Sequence, residues 1–174
     1  MVLSGIPPIE YIGFPLIPVK CEREKMTTRN KSRWHNLDFL KTKLKLSQLG
    51  NSTVFKKDGK YFLSPAVSEG QHGKYWIDIR EANLNKIDRE NCFFIPRIVP
   101  DLFIFENIKY LSSLLSEALM ECRPHSGNVW GIYMKLIVPS GTATLYSKQS
   151  SENQMTVKLI SKDAIIKTVR EVFN

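Results

Sequence analysis

Cysteine, histidine and clustered glycine are all scarce in this chain of 174 residues, and each scarcity removes a class of chemistry. The three cysteines, Cys21, Cys92 and Cys122, are far apart and odd in number, so they cannot all pair internally. That usage fits a reducing compartment in which thiols serve as small apolar residues. The nine glycines are scattered and form no loop that would cradle a phosphate. No serine or cysteine sits in a recognisable nucleophile context. Cys122 and His125 have the Cys-x-x-His spacing of half a zinc site. Cys21, Cys92, His35 and His72 supply no second close pair to complete it. Residues 1–19 are apolar, yet Pro7, Pro8, Pro15 and Pro18 break any spanning helix, and no basic stretch precedes them. Neither a signal peptide nor a membrane anchor is expected, and the expected location is cytoplasmic. Internal repeats and low-complexity segments are also lacking.

What the chain does have is positive charge in one place. Residues 1–60 hold twelve Lys and Arg against five Asp and Glu, while residues 61–174 hold thirteen against twelve. Nearly all of the formal net charge of +8 therefore belongs to the first third. Charge concentrated in this way focuses potential on one surface and attracts a polyanion, most often nucleic acid.

Hydrophobic residues at 43% and aromatics at 10% are enough for a sizeable core. Residues 1–35 read as an extended proline-rich and basic arm, and 36–174 as one domain. Within the arm, Lys20 to Arg33 reads as a solvated loop. A helix is expected from Asn36, as cap, to Gly50, with Leu37, Leu40 and Leu44 inward and Lys41, Lys43 and Lys45 outward. From residue 52 the period becomes two. Val54 to Phe62 reads as a hairpin with a type I′ Asp58-Gly59 turn. Tyr75 to Arg80 reads as a strand with Ile77 and Ile79 on one face and Trp76, Asp78 and Arg80 on the other. Residues 92–105 form an apolar ribbon broken by Pro96 and Pro100. Asn107 to Cys122 shows the clearest helical spacing, through Ile108, Leu111, Leu115, Leu119 and Cys122. Strands are expected at 128–138, 142–147 and 154–160, then a helix capped by Ser161 and running through Phe173. This order predicts an α+β fold with a mostly antiparallel or mixed sheet and about three helices.

Several Lys or Arg spaced to meet successive phosphates, with a few side chains able to reach bases, make a nucleic-acid surface. Arg29, Lys31, Arg33, Lys41 and Lys45 would supply the phosphate contacts, and Trp34 would stack. The polar loop Ser68 to Lys74 carries Gln71, His72 and Lys74 as recognition residues. A second constellation places charge inside apolar strands: Asp78 and Arg80 in one, Arg97 and Asp101 in another. If those strands are neighbours, Asp78 and Asp101 would hold magnesium and activate water as catalytic carboxylates. The alternative is that Arg80 or Arg97 pairs with an aspartate as a structural ion pair, or that all four face solvent. Pro100-Asp101 opens a Pro-Asp…(Asp/Glu)-x-Lys nuclease pattern, but the next expected strand gives Tyr133-Met134-Lys135, with no carboxylate in place.

The stretches His72-Gly-Lys-Tyr-Trp-Ile-Asp-Ile-Arg-Glu-Ala-Asn-Leu84 and Arg97-Ile-Val-Pro-Asp-Leu-Phe-Ile-Phe105 resemble DNA-recognition and endonuclease domains of bacterial restriction–modification proteins. The resemblance implies DNA contact within a restriction or similar system, as one part of a larger enzyme. It carries over no catalytic residue. The leading expectation is thus a DNA-binding module, with RNA the other polyanion such a surface would accept. The alternatives are a metal-dependent nuclease built on Asp78 and Asp101, or an interaction subunit whose N-terminal strap docks on a protein partner or a second copy.

Overall fold

The computed structural model describes the backbone of residues 28–70, 74–98 and 101–174, with side chains from Arg33 onward. Helix α1 (Thr28–Asp38) runs into a π turn, Phe39–Lys43. Four short strands follow: β1 (Ser47–Gln48), β2 (Val54–Lys57), β3 (Lys60–Leu63) and β4 (Ser68–Glu69). Strand β5 (Tyr75–Arg80) leads directly into a one-turn helix, α2 (Glu81–Leu84). Next come β6 (Cys92–Phe94), β7 (Arg97–Ile98), β8 (Leu102–Phe103) and β9 (Glu106–Asn107). Two 3-10 turns, Ile108–Leu114 and Glu117–Leu119, precede β10 (Glu121–Arg123) and the long β11 (Gly127–Ile137). Strands β12 (Thr142–Ser147), β13 (Gln154–Lys158) and β14 (Ile160–Ser161) lead to the closing helix α3 (Lys162–Glu171).

These strands form three sheets: β1-β2-β3-β6-β9, β13-β12-β11-β5-β4 with β10 on β11, and β14-β8-β7. Only β3 and β6 pair in parallel among the described strands; the rest of the ladders are antiparallel. The expected α+β class with mixed and antiparallel sheets is the one the chain adopts.

The hairpin β2–β3 is set by its turn. Asp58 and Gly59 have φ of 45° and 78°, the left-handed pair a type I′ turn needs. Its two faces are both buried. Val54 and Leu63 join a core with Ile77, Ile79, Trp130 and Ile132, while Phe55 and Phe62 join a second core with Phe39, Leu40, Phe103 and Ile165. The first sheet is therefore the partition between two apolar clusters. The second sheet turns one face to the core; on its other face Val129 and Gly131 are buried among half-buried and exposed neighbours. Along β12, Ala143 and Leu145 are buried, while Thr142, Thr144 and Tyr146 on the other face are half-buried.

Two expected helices take other forms. Helix α1 (Thr28–Asp38) and its π turn (Phe39–Lys43) make residues 28–33 of the basic run helical, and the helix expected over Asn36 to Gly50 is helical only to Lys43. Asn36 does not cap; it is buried and donates from Nδ2 to Ser64 Oγ at 3.0 Å. The expected inward leucines still face inward, with Leu40 and Leu44 buried. Gly50, with φ of 57°, lies in the connection from β1 to β2 rather than ending a helix. The segment 107–122 is two 3-10 turns and a strand instead of a helix. Ile108, Leu111, Leu115 and Leu119 are buried as expected, but Cys122 is exposed in β10. The 3-10 period of three suits Ile108, Leu111 and Leu114 as well as the α period does. The closing helix matches: Ser161 Oγ accepts from the Ala164 N–H at 3.3 Å, and Ile165 and Val169 are buried. No helix among the described residues is long and apolar enough to cross a membrane.

Candidate functional site

A polar cleft of about 520 Å³ opens where α1, the β1–β2 connection and the end of β5 meet. Arg33, Asn51, Thr53, Asp78, Arg80 and Asn83 line it, with Ser52, Ala66, Ser68 and Ser126. Its walls are fixed by side-chain amides. Arg33 Nη2 donates to Asn51 Oδ1 at 3.2 Å, and Asn83 Nδ2 donates to Thr53 Oγ1 at 2.9 Å. Arg80 ends β5 and is exposed, as is Arg33. Neither guanidinium forms an ion pair with a described residue.

The carboxylate in this cleft is already engaged. Asp78 Oδ2 accepts from Arg123 Nη1 at 2.9 Å, and Lys148 Nζ stands 3.7 Å from Oδ1. Arg123 also donates from Nε and Nη2 to Glu121 Oε2, at 3.0 and 2.8 Å. Those bonds hold the Glu121 carboxyl below its usual range and make the guanidinium more basic. The two cations thus cancel Asp78, and the charges left facing the cleft are Arg33 and Arg80.

Asp101 belongs to a different centre. It accepts from Arg97 Nη2 at 3.1 Å, and Lys162 Nζ lies 3.9 Å away. The Arg97 guanidinium sits 5.7 and 5.8 Å from the Phe39 and Phe103 rings. Asp78 and Asp101 lie in separate regions of the chain, beside β11 and beside β7–β8, and they share no cation. No group of three His, Cys, Asp or Glu able to hold a metal occurs among the described residues. Two carboxylates that each face two cations do not fit a magnesium ion, so no metal-activated step follows from them. Of the two arginines expected to pair with an aspartate, Arg97 does so with Asp101, while Asp78 pairs with Arg123 rather than Arg80.

The other expected contact residues divide by position. Arg29 and Lys31 lie in α1, with only their backbone described. Trp34 is 58% exposed on α1, edge-on to His35 at 5.4 Å. Lys41 and Lys45 are exposed at and after the π turn, with Lys45 at φ of 55°. Lys74 is exposed just before β5, and its carbonyl accepts from the Gly70 N–H at 2.8 Å. Gln71 and His72 lie outside the described residues, as does the N-terminal strap. The structure therefore joins Arg33 to the cleft, while Lys41 and Lys45 are not among its lining residues.

One surface escaped the sequence reading. Tyr133 on β11 pairs in register with Trp76 on β5 and with Tyr146 on β12, which sets three half-buried rings in a row across the second sheet. Alternation assigns each ring to the non-core face of its own strand. Only strand pairing lines the three up, and pairing is not written in any one segment.

Comparison with protein-family models, with curated proteins and with solved structures finds no match for this chain.

Proposed function

We propose that this chain binds nucleic acid, with phosphates seated in the cleft between Arg33 and Arg80. The observation that carries the reading is two guanidiniums with no ion pair among the described residues lining one polar cleft whose carboxylate is held by other cations. Guanidinium forks, side-chain amides and hydroxyls are the groups that most often hold phosphate and sugar. The basic first third of the chain, from which α1 brings Arg33, adds long-range attraction. DNA is the polyanion favoured, on the likeness of residues 72–84 and 97–105 to restriction–modification proteins.

The test is fluorescence anisotropy with labelled DNA at several salt concentrations in the presence of EDTA. About six phosphate contacts give a log–log salt slope near roughly −5. Absence of binding at low salt would sink the proposal and leave the charge asymmetry as a solubility feature.

A further inference from the structure

We infer that the outer face of the β13-β12-β11-β5-β4 sheet is a stacking platform for single-stranded nucleic acid. Bases lie on Trp76, Tyr133 and Tyr146, and phosphates lie on the cations around them. The inference rests on the nucleic-acid reading above and names the form of strand that the site takes.

The three rings occupy neighbouring strands at one level of the sheet. Tyr133 and Tyr146 have ring centroids 5.5 Å apart, close to the spacing of adjacent strands. The indole of Trp76 lies against Gly70, where a Cβ would come within 2.8 Å of Cζ3. On the reverse face of the same strands, Ile77, Ile132, Met134 and Leu145 fill the core. The rings therefore belong to the face the core does not use. Around them Lys135, Gln154, Thr156 and Lys158 are exposed.

Charge on this face suits a polyanion. Arg80, Arg123, Lys135, Lys148 and Lys158 stand against Asp78 and Glu121, both of which are bound by Arg123. Lys158, at the edge, also faces Glu106. Lys148 Nζ lies 5.5 Å from the Trp76 ring and 5.2 Å from the Tyr133 ring. The ammonium lies over both rings in cation–π contact, so a base stacking there takes its place and the displaced cation meets the adjoining phosphate. Arg80 and Asp78 belong both to this face and to the cleft, so a strand leaving the rings enters the cleft beside Arg33.

A duplex keeps its base faces stacked inside itself and has none to lay on a flat row of rings. An unpaired strand offers them, and ring stacking with a cationic track is how sequence-tolerant single-strand binders work.

The experiment titrates the full chain against a labelled dT 12-mer and a duplex of equal length, at low salt with EDTA. The parent should prefer the single strand. Replacing Tyr133→Thr and Tyr146→Thr, which puts residues of good strand propensity in both places, should lower the single-strand to duplex affinity ratio about tenfold per ring. Tyr133→Phe with Tyr146→Phe should keep the ratio. An unchanged ratio in the Thr variant, or an equal loss in the Phe variant, overturns stacking. A purely structural cross-strand pair would lower the melting temperature and leave the ratio alone. Photocrosslinking of a 5-iodouracil single strand to the unaltered chain reads the same point without a variant. Adducts at Trp76, Tyr133 or Tyr146 support the platform, and adducts only elsewhere overturn it. A parent that binds no nucleic acid defeats the cleft reading as well; one that binds but ignores the ring substitutions defeats only the platform.

Discussion

Lys148 lies flat across Gly131: a Cβ on that glycine would stand 2.4 Å from Lys148 Cδ and 3.0 Å from Cγ. The Lys148 N–H donates to the Gly131 carbonyl at 2.9 Å, so backbone and side chain are anchored at one residue. Gly131 is buried in the centre of β11, opposite Asp78, and the missing side chain lets the lysine reach that carboxylate.

Gly131→Ala should therefore push Lys148 off Asp78 and off the rings. We expect most of its cost to vanish when Lys148→Ala is already present, leaving only the contact with the Cβ of residue 148 at 3.3 Å. A double-mutant cycle on urea unfolding should show a coupling of about 1 kcal/mol. Additive effects would mean that the lysine's path does not depend on the glycine.

Arg123 joins β10 to β5 through Asp78, 45 positions away in sequence. Arg123→Ala should destabilise the fold by about 1 kcal/mol, a value reduced by partial exposure of the pair. Arg123→Lys should restore only part, because an ammonium cannot serve two carboxylates with a planar fork. Glu121 is held below its usual range, so its contribution is present above the ordinary carboxylate pKa and is lost as pH falls through the lowered value. The stability gap between parent and Arg123→Ala should thus narrow as pH falls below the ordinary carboxylate value of about 4.3. A constant gap would contradict the ion-pair assignment.

Cys92 is fully buried, and burial pushes its thiol up to about 12. An unfolded cysteine loses its proton from about pH 8.5. The folded thiol keeps its proton, so this contribution is intact below pH 8 and is lost as pH rises. Between pH 8 and pH 10 the parent should lose about 2 kcal/mol that Cys92→Ala does not lose. In the native protein a thiol reagent should label exposed Cys122 promptly and Cys92 only on unfolding. Prompt labelling of Cys92 would contradict its burial.

Arg33→Gln and Arg80→Gln should each weaken DNA binding across all sequences and reduce the magnitude of the salt slope by about one. Asp101→Asn serves as the contrast. Its carboxylate is 56% exposed and paired away from the cleft, so stability should fall by less than about 1 kcal/mol and DNA affinity should hold. A large loss of affinity in Asp101→Asn would place the Arg97 centre in the interface.

The candidate site was legible only in pieces. The charge surplus before residue 60 and the interruption of an apolar strand by Asp78 and Arg80 stand in the sequence. Their partners do not. Asn51 and Ser126 reach the cleft from separate turns and Asn83 from α2, while Arg123 in β10 and Lys148 just after β12 carry no local signal of charge pairing.

By itself, the sequence determined what depends on neighbours a few positions apart. The Asp58-Gly59 turn, the Ser161 cap and the alternation through β5, β11 and β12 arise because backbone dihedrals and period-two faces are local properties. Tertiary structure decided the segment 107–122. Its apolar spacing satisfies two helical periods, and the choice was made from outside. Trp130 Nε1 donates to the Ser116 carbonyl at 2.8 Å, Ser116 is extended at φ −69° and ψ 148°, and Glu121–Arg123 pairs with β11. An α-helix there would leave β11 unpaired along that edge and the indole N–H without its acceptor. The same strand pairing put Trp76, Tyr133 and Tyr146 in one row, because register between distant strands is fixed by the core they share.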